Sequence, residues 1–178
     1  MGEQPSTSAW ERGSVGERKL GEILAAMDGI SVLHDRRVPG TRGNIDHLVV
    51  APAGVFVIDT KHYAGLIHIR YRGSFLNRDQ RLYVGSRDCS QLAANMAWQV
   101  KAVRDVLDST HDAGSIAVLA VLCFVDGEWP LFTSPEYYKG VRLEGLRSIK
   151  KLLADPGPLG PDQIARVNRT LSIAFPSK

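Results

Sequence analysis

Asp59 and Lys61 close one apolar segment, Gly54-Val55-Phe56-Val57-Ile58-Asp59-Thr60-Lys61, and Asp46 opens another, Asn44-Ile45-Asp46-His47-Leu48-Val49-Val50-Ala51. Charged residues are disfavoured inside half-buried strands, and an unpaired buried charge is costly. The residue types suggest what compensates them. Two carboxylates on neighbouring strands are hard oxygen ligands suited to Mg2+ or Mn2+, which take few protein ligands and leave room for water and a substrate phosphate. Such a cation polarises a phosphoryl oxygen and activates a water. A nearby Lys ammonium orients that water or stabilises the developing negative charge. Asp46, Asp59 and Lys61 fit these roles. Glu17, in a helical segment ahead of both strands, is placed to add a ligand or a water-mediated contact. The plainer reading of an isolated D-x-K is an ion pair on an edge strand, with Asp46 capping the loop at Asn44.

The elements that must position these residues are readable in outline. Side chains alternate along a strand, so Asp59 and Lys61 project from one face, with Val55 and Val57 behind them. Asp46 depends on the turn. A four-residue loop, Ala51 to Gly54, pairs Val50 with Val55 and hence Asp46 with Asp59. A three-residue loop sets Asp46 opposite Thr60 and turns the two acids to opposite faces unless a bulge re-aims one.

Before the hairpin, Val15, Leu20, Ile23, Leu24 and Met27 recur at helical spacing, with Ser14 as N-cap and Glu17 completing a capping box. A short strand is expected over 31–33. Further short strands fit 66–71, 74–76 and 81–84. A helix capped by Ser90 runs to Asp108 with an apolar stripe of Leu92, Met96, Val100, Val103 and Leu107. The near-continuous apolar run 115–125 reads as a central strand covered on both faces. A strand over 140–143 and helices over 146–153 and 161–171 complete the chain. The order predicts an α/β (α+β) fold with one mixed central sheet flanked by helices.

The 178 residues, 44% hydrophobic, suit a single domain over 13–178 behind a polar tail at 1–12. Cys89 and Cys123 stand far apart, without the spacing of a zinc site or a disulfide framework. Ile116 to Val125, the longest apolar stretch, falls short of the roughly 20 residues a bilayer needs. With no basic-then-apolar leader visible, a cytoplasmic location is expected. The formal net charge of +3 permits nucleic-acid binding without requiring it. Basic residues gather at Arg36, Arg37, Arg70, Arg72, Arg78, Arg81 and Arg87, with Lys101 and Arg104 on the later helix and Tyr71 and Tyr83 interleaved. They form either solvated strand faces or a groove that tracks a phosphate backbone. His47 and His62 flank the acids and alternate onto other faces. His34 and His111 read as incidental.

Gly13-Ser14-Val15-Gly16-Glu17, Asn44-Ile45-Asp46-His47, Gly54-Val55-Phe56-Val57-Ile58-Asp59-Thr60-Lys61-His62-Tyr63 and Gly65 together resemble the NERD domain, a nuclease-related family of the PD-(D/E)xK phosphodiesterase superfamily. The resemblance covers roughly residues 13–125. It implies a restriction-endonuclease-like core and Mg2+-dependent cleavage of a nucleic-acid backbone, of DNA or alternatively RNA. Glu17, Asp46, Asp59 and Lys61 fall at the matching positions, with Asp46, Asp59 and Glu17 as metal ligands. Gln99 matches a polar site residue more loosely, against the plainer reading of a solvated helix face. Ile45 stands where the superfamily pattern has Pro, a departure shared with the NERD pattern. The rival reading is a non-catalytic nucleic-acid-binding or regulatory module on the same fold. A double-strand cut would need a second site, which a homodimer would supply.

Overall fold

The computed structural model describes residues 7–73, 79–110, 116–131 and 136–178, with side chains from Val15 onward. In chain order the elements are α1 (Thr7–Ala25), β1 (Ser31–Arg37), β2 (Asn44–Ala51), β3 (Gly54–Lys61), β4 (Gly65–Arg72), β5 (Asp79–Val84) and β6 (Arg87–Asp88). There follow α2 (Ser90–Asp108), β7 (Val118–Phe124), β8 (Gly127–Glu128), β9 (Tyr137–Tyr138), β10 (Val141–Glu144), α3 (Ser148–Ala154) and α4 (Pro161–Ala174). One sheet is six-stranded in the order β1-β2-β3-β7-β10-β9, and a smaller four-stranded one runs β6-β5-β4-β8. The main sheet is mixed, as expected. β1, β2 and β3 pair antiparallel, whereas β3, β7 and β10 run parallel.

Val, Ile, Leu and Phe fill β2, β3 and β7 almost continuously because both faces are covered. On one face Leu48, Val50, Val55, Val57, Leu122 and Phe124 meet Met96, Val103 and Leu107 of α2 and Val167 and Leu171 of α4. On the other, Val49, Phe56, Ile58, Val121 and Cys123 meet Leu20 and Leu24 of α1 and Ile149 and Leu153 of α3. Sheets sandwiched this way read as apolar runs rather than alternations, which makes the charged ends of β2 and β3 conspicuous.

The β2–β3 turn is tight. Ala51 pairs with Gly54 and Val50 with Val55, leaving Pro52 and Ala53 at the tip. Gly54 has φ +144°, and a Cβ there would lie 2.5 Å from the Ala117 carbonyl oxygen, so only glycine fits. Gly157 presses on the same turn, its missing Cβ falling 2.2 Å from the Pro52 carbonyl oxygen.

Several expectations are corrected. The first helix begins at Thr7, so part of the expected tail is helical and Ser14 lies inside the helix rather than capping it. The Cys89 position, not Ser90, caps α2, and it does so without a side-chain bond. The Ser90 hydroxyl instead accepts the Leu82 N–H at 3.0 Å, tying α2 to β5. β1 extends to Arg37, well past the expected 31–33. Gly127 and Glu128 pair in parallel with Gly65 and Leu66 of β4, an addition to the expected strands. The strand expected over 74–76 lies outside the described residues, as do Arg78 and His111.

Candidate active site

Asp59 and Lys61 share the face of β3 that looks toward α2, and Lys61 Nζ lies 2.5 Å from Asp59 Oδ1. Only 13% of the Asp59 side chain and 23% of the Lys61 side chain is exposed. Contact with a charged carboxylate in so dry a place strengthens the pair. Burial pulls the Lys61 ammonium down, but Asp59, then Asp46, outweigh it and hold Lys61 above its ordinary value.

The two-residue turn decides the position of Asp46. The register Val50–Val55 through His47–Ile58 extends to Asp46 opposite Asp59, and ladder pairing stops one step short of them. That is the outcome expected of the four-residue loop; the three-residue alternative is excluded. At the end of the ladder the Asp46 carboxylate replaces a strand partner, its Oδ2 accepting the Thr60 N–H at 3.2 Å. The register and the Thr60 bond set the Asp46 carboxylate beside that of Asp59. Burial above all, and then the Asp59 charge, push the Asp46 carboxyl up to about 8, although the Thr60 bond opposes the shift. With no cation present, the pair holds a proton at neutral pH.

Asp35 is the acid that the sequence reading missed. In β1, His34 pairs with His47 and Arg36 with Ile45, so Asp35 stands level with Asp46 and three aspartates cross β1, β2 and β3 in a row. Asp35 adopts φ +47°, a left-handed conformation that Asp tolerates better than most side chains. Its Oδ1 accepts the Asn44 side-chain amide at 2.8 Å. The run His34-Asp35-Arg36-Arg37 within a strand was the available signal.

Glu17, on α1, rims a shallow depression that it shares with Asp35, Asp46, His34 and His47. Desolvation raises its pKa, followed by repulsion from Asp35, while Lys61 opposes the shift. The structure thus brings Asp46, Asp59 and Lys61 together and leaves Glu17 at the edge. Among the described residues no three His, Cys, Asp or Glu side chains converge into a group that could hold a metal ion. Gln99 is not on a solvated face. It is half-buried on α2, and its amide oxygen is enclosed without a hydrogen-bond partner.

His34, read as incidental, is structural. His47, 4% exposed, shares an Nδ1–Nδ1 hydrogen bond of 2.8 Å with His34. One ring must donate and the other accept, so the two cannot both be charged without breaking the bond. Burial, then the His34 ring, lowers His47 to about 4. His62 turns away from Lys61 and pairs with Asp126 at 2.7 Å.

Arg70, Arg81 and Arg87 do not share one face. The register of the small sheet sets His68 opposite Tyr83 and Arg70 opposite Arg81 on one face, and Arg87 beside Val84 on the other. Arg81 bonds Asp79 and Lys101 bonds Asp105. The Arg87 guanidinium lies 4.5 Å over the Tyr63 ring.

Comparison with known proteins identifies a family. The sequence profile of NERD, the nuclease-related domain, matches residues 12–125. An uncharacterized protein of Bacillus anthracis is 40% identical over 62 residues, which cover 32% of this chain and 29% of that protein. The match thus spans under a third of the relative's length. No solved structure gives a significant match. Among the described residues no helix is long and apolar enough to cross a membrane.

Proposed function

Because this chain belongs to the NERD, or nuclease-related domain, family, we propose that it is a Mg2+- or Mn2+-dependent nuclease that hydrolyses phosphodiester bonds of DNA at Asp46, Asp59 and Lys61. The observation that carries the reading is the buried carboxyl pair. Two acids side by side at the end of a β-ladder, one of them kept protonated by burial and by the other, are an arrangement that a divalent cation would relieve. Mg2+ needs only one or two protein carboxylates, the remaining positions going to water and phosphate, so the set present fits it. Asp46 and Asp59 would be the ligands, with Glu17 acting from the rim through water.

When bound, the cation would polarise a phosphoryl oxygen and make a water acidic enough to attack phosphorus. The chain supplies the rest. Thr60 N–H fixes the orientation of the Asp46 carboxylate. Asp59 holds the Lys61 ammonium in place, where it offsets the negative charge that builds up on the phosphate oxygens. The enclosed oxygen of Gln99 is an acceptor in want of a donor, as a positioned water would be.

The test is incubation of the protein with plasmid, single-stranded DNA and RNA in Mg2+, Mn2+ or EDTA, beside Asp59→Ala. The expected result is DNA cutting that needs the metal and disappears in the variant. Cutting that survives the substitution would refute the site. Salt-sensitive binding without cutting would instead identify a binding module on the same fold.

A further inference from the structure

A second cavity lies along the same edge of the main sheet. Strands β3, β7 and β10 are parallel, so their C-terminal ends lie together, and crevices outside such ends are where α/β sheets bind ligands. Asp59 and Lys61 occupy the end of β3. Phe124, level with Lys61, ends β7, and the Val125 N–H donates to the Lys61 carbonyl at 2.9 Å. Beyond them a cavity of about 560 Å3 opens over the ends of β7 and β10, its walls including Phe124, Trp129, Leu143, Leu146 and Glu144. At about 4.8 Å per strand, β10 is roughly 10 Å along the edge from β3.

The cavity is walled mainly by apolar groups, with Glu144 deeply set and the exposed Glu136 and Arg147 also lining it. Trp129 lies against Gly145, where a Cβ would fall 2.9 Å from the indole Nε1, so the glycine lets the indole rest on the backbone. Glu144 is only 2% exposed. Its Oε1 accepts Arg142 Nε at 2.6 Å, which neutralises the charge yet leaves a carboxylate lone pairs to spare. Ser148 is already engaged, its hydroxyl bonded to the Gly145 N–H. A ligand matched to this space is planar, with apolar faces and an N–H edge for a buried acceptor.

We propose that the cavity takes a single unstacked nucleobase bearing an exocyclic amino group (adenine, cytosine or guanine), with Glu144 accepting from that group and Trp129 forming the stacking wall. The base comes from the strand whose backbone lies at Asp46 and Asp59. Only that source, not the binding itself, rests on the nuclease reading. Extruded bases are read in this way, by stacking and by hydrogen bonds to their edges.

Titration with the five nucleoside 5′-monophosphates, which carry the same phosphate charge, tests the inference through tryptophan fluorescence. The expected result is saturable quenching by the AMP, CMP and GMP forms, absent in Trp129→Phe and at least about tenfold weaker with UMP and TMP, as one charge-assisted hydrogen bond implies. Glu144→Gln, which retains an oxygen for Arg142, should shrink that preference. If Glu144→Gln does not fold, the Trp129→Phe comparison and the order of the five nucleotides still decide. Quenching that persists in Trp129→Phe, binding indifferent to the amino group, or no binding to the folded protein overturns the inference. Because the titration needs no metal and no turnover, its failure is distinguishable from failure of the nuclease assay. If Trp129-dependent binding is found without DNA cutting, the cavity stands and the nuclease reading falls.

Discussion

Asp46→Asn measures the strain between the two carboxyls without any metal present. In the folded chain the Asp46 carboxyl titrates at about 8 against an ordinary 3.8. Between these values the native protein holds a proton that the unfolded chain has released. The associated stability is intact below about pH 4 and is lost as pH climbs to about 8. The slope is about 1.4 kcal/mol per pH unit, or about 3 kcal/mol from pH 4.5 to 7. His47 acts in the opposite sense over part of that range. Its folded value of about 4 lies below the ordinary 6.5, so it adds stability as pH rises from 4 to 6.5. Wild-type data alone would blend the two, but subtraction of the variant leaves only the aspartate, since the introduced amide retains an oxygen for the Thr60 N–H. Urea denaturation in EDTA from pH 4.5 to 8.5 is the assay. The asparagine variant should gain a few kcal/mol on wild type as pH rises. Parallel curves, or a wild type that gains on the variant, would refute the buried-pair argument.

Three further outcomes follow from the packing. Gly157→Ala drives a methyl group into the Pro52–Ala53 turn and should cost about 1–3 kcal/mol in urea unfolding, with a matching loss of DNA cutting if the hairpin shifts. Gln99→Met removes the enclosed oxygen offered to the positioned water; cutting should fall at least tenfold while stability to urea changes by no more than about 1 kcal/mol, a divergence that a merely structural glutamine would not produce. His34→Phe strips the buried His47 of its one hydrogen bond and should cost about 1–3 kcal/mol by thermal or urea unfolding.

The reach of sequence reasoning varied with the range of the physics involved. Period-two alternation sufficed to put Asp59 beside Lys61. The breakers Pro52 and Gly54 narrowed the hairpin to two registers, of which the structure has one, and with it Asp46 opposite Asp59. Asp35 was out of reach because its place depends on pairing between β1 and β2 across the loop that holds Gly40 and Gly43, and nothing local fixes that offset. Ser14 and Ser90 matched capping patterns, yet in α1 the helix runs on past the serine, and in α2 a strand amide claimed the hydroxyl. The arginines looked like one cluster along the chain and were divided by strand parity, with Arg70 and Arg87 on opposite faces of the small sheet. Gln99 lies beside the apolar stripe of α2, and only the close approach of that helix to the sheet, which periodicity does not encode, encloses its amide oxygen.

The main sheet has guarded borders. At one edge the segment after α4 runs beside β1: Arg37 N–H donates to the Pro176 carbonyl, Lys178 N–H to the Asp35 carbonyl, and Arg36 bridges to Ser177. At the other edge β9 is only two residues long. An open strand edge templates aggregation and sheet-to-sheet assembly. A second copy could therefore extend this sheet past β1 only after residues 176–178 peel away, and loss of their pairing should turn a closed border into an adhesive one.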